Sequence, residues 1–537
     1  MDTWALLLDG FATALQPQNL LFALVGCALG MMVGILPGVG PIAGISILLP
    51  LSFHLDATGS IIMLAAIYYG AMYGGTITTV LLNVPGEGSS AITAIDGYQM
   101  AKQGRAGSAL GIAAIGSFIG GTVATILLVL AAPTLATLAL SFGPPELFAL
   151  LVFAICLLVG LGSRSVLLSL VSGALGLALV LPGTDLFTGM PRLTFGHLEL
   201  LSGLDFVPII MGLFGLGEIF YNAHLRYVTA HAHAKASARV SRQDLKDSSG
   251  AIARGSVLGS VLGIIPGVGT VAPTLMSYAL EKKISKNPGA FGNGAIQGVA
   301  GPETTNNAYA NSAMIPLFTL GIPASPTIAV LMGAFLINGL TPGPKLFESN
   351  PTLVWGIIAS LFVGNAILLI MNLPLIRIWV QIVRIPYNLL FPLIVVFMVI
   401  GSYSVNKSLW DVGVLIAFGL FGYFAKLIDF PIVPIALTLI LGPMLEKSLR
   451  QSIQYSGGDP AVFFRGPIST TFLVIAMLVI TFPLWSRAIL PVSGLLLRRM
   501  PGRANRTPQG RENTDEETPQ DRNDRSRRRT SAFRLRR

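Results

Sequence analysis

Two carboxylates stand out because their neighbours carry oxygen and amide groups but no other charge. Glu87 follows Tyr73-Gly-Gly-Thr-Ile-Thr-Thr79 and lies within Asn83-Val-Pro-Gly-Glu-Gly-Ser-Ser90. Glu303 lies within Gly301-Pro-Glu-Thr-Thr-Asn-Asn-Ala-Tyr-Ala-Asn-Ser312, which leads to Gly321-Ile-Pro-Ala-Ser-Pro326. Such groups are costly in lipid unless they line a cavity inside the protein. In a cavity, neutral Asn, Thr and Ser oxygens favour Na⁺, because hard cations take oxygen ligands. Either carboxylate would instead carry a proton. An aqueous loop draws on the same turn residues, but the cluster recurs at a matching place further along the chain, which favours the cavity.

Each cluster is preceded by the same broken stretch. Gly34-Ile-Leu-Pro-Gly-Val-Gly40 returns as Gly263-Ile-Ile-Pro-Gly-Val-Gly269, and two weaker echoes follow in the same order. These are Leu82-Asn-Val-Pro-Gly86 against Leu320-Gly-Ile-Pro-Ala324, and Asp96-Gly97 against Asn338-Gly339. The chain therefore reads as an internal two-fold repeat, expected to be inverted, with a parallel repeat as the alternative. Pro37 and Pro266 fix φ and remove a donor, which ends a helix. Gly38, Gly40, Gly267 and Gly269 permit positive φ and a close approach of backbone to ligand.

Half-helix N-termini offer N–H groups to an anion. Broken helices at matching positions of two halves mark the binding site of a secondary transporter. The residues read as substrate-facing in the first half are Gly38, Gly40, Thr78, Thr79, Asn83, Gly86 and Ser89. In the second half they are Gly267, Gly269, Asn306, Asn307, Asn311 and Pro323. Glu87, Glu303, Thr304 and Ser312 read as cation ligands or organisers of the site. The competing reading is that the tip glycines only let helices pack closely.

The elements that must position these groups are membrane helices. The chain has 537 residues, 53% of them hydrophobic and 11% charged, with a mean hydropathy of +0.72. Soluble chains carry about 25% charged residues, so a soluble enzyme, a coiled coil and a disordered scaffold are excluded. Apolar runs of spanning length cover 19–36, 60–82, 107–132, 144–161, 165–181, 206–222, 352–373, 386–402, 408–428 and 466–486. Shorter pieces at 42–53, 251–265, 271–280, 313–322, 324–339 and 430–445 predict re-entrant or discontinuous helices. The expected fold is an all-α polytopic membrane protein of about 10–12 transmembrane helices plus broken-helix hairpins. Its expected parts are a first half at 1–222, a basic cytoplasmic loop at 223–250, a second half at 251–490 and a disordered tail at 498–537.

The net charge of +10 is concentrated at the end of the chain. The tail from Arg498 holds thirteen arginines and six acidic residues, which reads as a cytoplasmic topology signal and not as nucleic-acid binding. Arg226, Lys235, Arg239, Arg242 and Lys246 place the middle loop in the cytoplasm, and Lys102 and Arg105 do the same for 97–106. Lys102 is the first lysine or arginine of the chain, so no cleavable signal is expected. His224, His231 and His233 read as solvated loop residues, and Lys282, Lys283 and Lys286 as an interfacial anchor. Cys27 and Cys156 read as small hydrophobes without a disulfide or metal framework.

These stretches, with Tyr69-Gly-Ala-Met-Tyr-Gly-Gly-Thr76, Asp96-Gly-Tyr-Gln-Met-Ala101 and Gly339-Leu-Thr-Pro-Gly-Pro-Lys-Leu-Phe347, carry a family likeness. The sequence resembles the large membrane subunit of the tripartite tricarboxylate transporters, the TctA family, over roughly residues 15–490. The resemblance implies carboxylate uptake across the inner membrane, driven by a Na⁺ or H⁺ gradient. It also implies two partners, a small four-helix membrane subunit and an extracytoplasmic solute-binding protein. No Walker-type nucleotide motif is present, and no cofactor is expected beyond the coupling ion. A channel for small organic anions without ion coupling is the alternative. A membrane enzyme would need His54 or His197 paired with Glu87 or Glu303, for which the sequence offers no pattern.

Overall fold

Glycine, proline and short polar caps decide where the apolar runs of this chain begin and end as helices. The computed structural model describes residues 3–36, 38–161, 165–224, 238–382 and 387–481. Pro37, the loop residues Arg226, His231, His233 and Lys235, and the tail at 498–537 lie outside the described residues. The first helices are α1 (Thr3–Ala14), α2 (Pro17–Ile35), α3 (Gly40–Leu48), α4 (Ala57–Leu82) and α5 (Ala94–Lys102). They are followed by α6 (Ala106–Ala139), α7 (Pro144–Leu161) and α8 (Val166–Val180). A short antiparallel pair, β1 (Gly183–Thr184) and β2 (Pro191–Arg192), folds the next loop. Helix α9 (Phe206–Ile210) runs through a π-helical turn at Met211–Leu216 into α10 (Gly217–His224).

Further on come α11 (Arg242–Gly263), α12 (Val271–Ile284), α13 (Gln297–Ser312), α14 (Met314–Leu320), α15 (Pro326–Ile337) and α16 (Pro344–Ser349). Then come α17 (Pro351–Asn372), α18 (Ile376–Ile382), α19 (Tyr387–Asn406), α20 (Leu409–Leu427), α21 (Val433–Tyr455), α22 (Val462–Arg465) and α23 (Pro467–Thr481). Among the described residues, six helices are long and apolar enough to cross a membrane, and several further apolar helices are shorter. The fold is an all-α polytopic membrane protein. Bulky side chains such as Leu167, Phe397, Ile400 and Phe424 point outward, where lipid and not water is the solvent.

Helices also form where the sequence is polar and no apolar run predicts them. The piece at 251–265 is the C-terminal part of α11, which begins at Arg242 behind a Ser241–Asp244 capping box. Its first turns are polar and escape a search for apolar runs. The polar stretch around Glu303 is itself a helix, α13, with every residue from Gly298 to Ser312 buried.

The tip glycines of the two heptapeptides have matching φ values. Gly38 and Gly267 have φ of 82° and 86°, and Gly40 and Gly269 have φ of 65° and 68°. Before each tip the helix carries a glycine every fourth residue, Gly26, Gly30 and Gly34 in α2 and Gly255, Gly259 and Gly263 in α11. These rows let α2 lie against α4 and α11 against α13. A methyl on Gly34 would stand 2.2 Å from the Ala71 carbonyl, and one on Gly263 would stand 2.0 Å from Ser312 Oγ. Helices α4 and α14 also end alike. Asn83 and Gly321 are left-handed, and the next N–H closes back on the Thr78 or Pro316 carbonyl.

Helices α4 and α13 form the centre, and α6 packs on α13 through Gly116 and Gly120 against Thr304. One carboxylate ties the N-terminal part of the chain to the C-terminal part. Asp96 of α5 is fully buried. Its Oδ1 accepts the N–H groups of Gly292, Gly294 and Ala295 at 2.8–2.9 Å, and its Oδ2 accepts the Tyr278 hydroxyl at 2.8 Å. Asp96→Asn keeps the acceptor but removes the charge that strengthens these bonds. It is expected to lower stability by about 1–2 kcal/mol, read as a lower melting temperature in detergent.

The neighbouring loops lie together at one end of the helices. Arg105 pairs with Asp244 at 3.0 Å, and Gln103 donates to the Asn293 carbonyl. The 97–106 segment and the start of α11 are therefore on the same side. The β1–β2 loop is clamped elsewhere to α21 by Arg192–Glu446 and Arg450–Asp185 pairs. The Thr188 and Phe187 N–H groups, with Arg450 nearby, hold the Asp185 carboxyl well below its usual range, at about 2.

Candidate transport site

The turn after α2, the turn before α12, the loop after α4 and the start of α15 surround one cavity of about 640 Å³. Gly38, Gly40 and Gly269 face it from the two tips, and Gly86, Glu87 and Ser325 from the loops. At Gly40 and Gly269 the close-packing reading of the glycines fails. A Cβ on Gly40 or Gly269 would meet nothing within 4 Å, whereas the glycines inside α2 and α11 are pressed against neighbouring backbone. The second tip is fixed by the Gly267 N–H, which donates to the Ala324 carbonyl at 3.1 Å. The first tip abuts the Asn222 side chain, 3.0 Å from where a Gly38 Cβ would stand.

Both carboxylates found in the sequence are buried and cross-linked between the two parts of the chain. Glu87 Oε1 accepts from the Ser89 hydroxyl at 2.6 Å and from Asn306 Nδ2 at 2.7 Å. Glu303 accepts from the Thr76 and Thr93 hydroxyls at 2.7 and 2.6 Å. Glu87 is on the cavity wall, while Glu303 stands among α4, α5 and α13. Two amide oxygens nearby, Asn306 Oδ1 and Asn307 Oδ1, are buried without a hydrogen-bond partner. Buried acceptors are normally satisfied, and unspent oxygen lone pairs beside a carboxylate suit a hard cation.

The other candidate residues are placed differently. Thr78 and Thr79 turn their hydroxyls back to the Gly75 carbonyl, and Thr79 also reaches Ser90. Asn83 caps α4 and is exposed. Asn307 donates to Ser117 Oγ at 2.7 Å, and Asn311 to the Asn307 carbonyl. The Thr304 and Ser312 hydroxyls are engaged by helix carbonyls, and Pro323 lies in the buried turn between α14 and α15. Among the described residues, none of these eight is on the cavity wall. Lys282, Lys283 and Lys286 are exposed.

Sequence reasoning missed Glu218 and its partner. Glu218 lines the cavity with Phe214, accepts from Asn222 Nδ2 at 3.1 Å and is ion-paired with Lys426. For Glu218 the signal was available, because it is a lone charge in the otherwise apolar span 206–222, which is a functional hypothesis by default.

A protein of Agrobacterium vitis described as "Uncharacterized 52.8 kDa protein in TAR-I ttuC' 3'region" is 48% identical over 478 residues. That match covers 89% of this chain and 95% of the relative. A second protein of the same organism, "Uncharacterized protein in TAR-II ttuC' 3'region", is also 48% identical, over 42% of this chain and 93% of its own length. No solved structure matches. Residues 20–437 match the tripartite tricarboxylate transporter TctA family, and with membrane helices packed around a cavity inside that segment, the chain belongs to this family.

Proposed function

We propose that this chain is the large permease subunit of a secondary transporter that imports small carboxylates together with a cation. The observation that carries the reading is the shared cavity, with a broken-helix tip from each part of the chain and Glu87 in its wall. The glycine rows of α2 and α11 and the matching φ values support an internal duplication, read as inverted. On that reading, 1–222 and 251–490 are the two halves and the tips are the discontinuous helices of the site. An anion held by N–H dipoles is released more easily than one held by several cations.

Cation coupling follows from charge. A carboxylate entering the cavity meets Glu87 and Glu218. Two like charges about 6 Å apart at an effective dielectric of ~20 repel by about 3 kcal/mol. A Na⁺ at the Asn306 and Glu87 oxygens, or a proton on a carboxylate, removes that repulsion. The family resemblance supplies the partners, a small four-helix membrane subunit and an extracytoplasmic solute-binding protein, and an inner-membrane location. It also favours a carrier over an enzyme.

Vesicles holding the permease and the small subunit, with the binding protein outside, test this. They are expected to accumulate labelled carboxylate when a Na⁺ or H⁺ gradient is imposed and to lose it when the gradient is collapsed. Equilibration without accumulation would mean a channel, and chemical change of the carboxylate would mean an enzyme.

A further inference from the structure

The cavity wall presents two carboxylates, yet the substrate read for it is itself a carboxylate. Among the described wall residues there is no lysine or arginine. The cation nearest in the bonding network is Lys426, which pairs with Glu218 on the wall. Lys426 ends α20, and its Nζ also lies 4.6 Å from the centre of the Tyr221 ring. Glu218 therefore links the cavity to a lysine that is not itself on the wall and whose side chain is 38% exposed.

We propose that Lys426 is the residue that receives a substrate carboxylate, and that Glu218 occupies it until substrate arrives. This assignment rests on the carboxylate reading of the cavity. An incoming carboxylate replaces the Glu218 carboxylate on the ammonium group, so the lysine keeps one anionic partner throughout. Charge-assisted bonds of this kind are among the stronger ones available, and exchanging like for like keeps the ammonium group paired.

Three features favour a Glu218 that moves. The π-helical turn at Met211–Leu216 ends one residue before α10 begins, and its Phe214 shares the cavity wall. Such turns often mark functional positions in helices. Asn222 donates to Glu218 Oε1 and also abuts Gly38 at the first tip. A displaced Glu218 is thereby coupled to the backbone proposed to cradle the ligand. The freed carboxylate is then available to the coupling cation.

The test is equilibrium binding of labelled citrate, and of a panel of other di- and tricarboxylates, to the purified detergent-solubilised full-length protein. Lys426→Gln is expected to weaken binding by about tenfold or more, and Lys426→Arg to retain it. Glu218→Gln frees the lysine and is expected to tighten binding, while the double variant behaves as Lys426→Gln. A merely structural ion pair predicts the opposite pattern, with both single variants weakened and the double variant restored. That pattern, or wild-type binding by Lys426→Gln, overturns this assignment alone. A wild-type protein that binds no member of the panel overturns the carboxylate reading and this assignment with it. Size-exclusion profiles of every variant establish that the protein compared is folded.

Discussion

Glu303→Gln is expected to lower gradient-driven uptake about a hundredfold while the protein still inserts and folds. The glutamine keeps one acceptor for the Thr76 and Thr93 hydroxyls that now donate to Glu303. The other hydroxyl can rotate to accept from the new amide. The folding cost is therefore about that of one altered hydrogen bond, about 1 kcal/mol. What disappears is the charge. A cation about 5 Å from a carboxylate at an effective dielectric of ~20 is held by about 3 kcal/mol, which corresponds to roughly a hundredfold in occupancy. Glu303→Leu separates charge from scaffold in the other direction. It strands two buried hydroxyls at about 1–3 kcal/mol each, so it is expected to lower the melting temperature as well as uptake. The measurements are accumulation in vesicles as a function of ion gradient and thermal unfolding in detergent. If Glu303→Gln accumulates substrate with wild-type ion dependence, the carboxylate serves only to join α4, α5 and α13.

The residues that seemed able to do chemistry in the sequence divide into those that face the cavity and those that build its frame, and the reason is helical geometry. A cluster such as Thr304-Thr305-Asn306-Asn307 reads as one polar patch along the chain. On a helix, consecutive side chains point about a third of a turn apart. Thr304 therefore meets α6, Thr305 reaches the Gly255 carbonyl of α11, and Asn306 reaches Glu87. Without knowing that this stretch is helical, no reading could tell them apart. Glu87 and the tip glycines were legible because a broken helix is a local event, written by Pro and Gly in a few residues. The Glu218–Lys426 pair was not, because its members are 208 residues apart and only the packing of α20 on α10 joins them. Asp96 was legible as an echo of the repeat and as part of a family stretch. Its role depends on three N–H groups from a loop nearly two hundred residues further on, for which the sequence gives no signal.

The sharpest test of the cradle compares glycines that differ only in what a methyl group would meet. Gly40→Ala and Gly269→Ala place a Cβ where there is no protein atom within 4 Å, in the cavity both residues line. The protein is charged only the left-handed backbone penalty at φ of 65° and 68°, about 1–2 kcal/mol. Any ligand held against the tip loses its place, and a displacement of about 1 Å can cost roughly a hundredfold in rate. Gly104→Ala is the control for backbone strain. Its φ is 78° and its Cβ would also meet nothing, but it lies after α5 and away from the cavity. Gly34→Ala and Gly263→Ala are the controls for packing. Their methyl groups would stand 2.2 Å from the Ala71 carbonyl and 2.0 Å from Ser312 Oγ, so the helices must separate at about 1–3 kcal/mol. The expected result is a strong loss of uptake with little loss of stability at positions 40 and 269. Position 104 should keep its uptake, and positions 34 and 263 should lose stability first. If Gly40→Ala and Gly269→Ala transport as well as Gly104→Ala does, no ligand touches the tips. The cradle is then wrong even though both tips face one cavity.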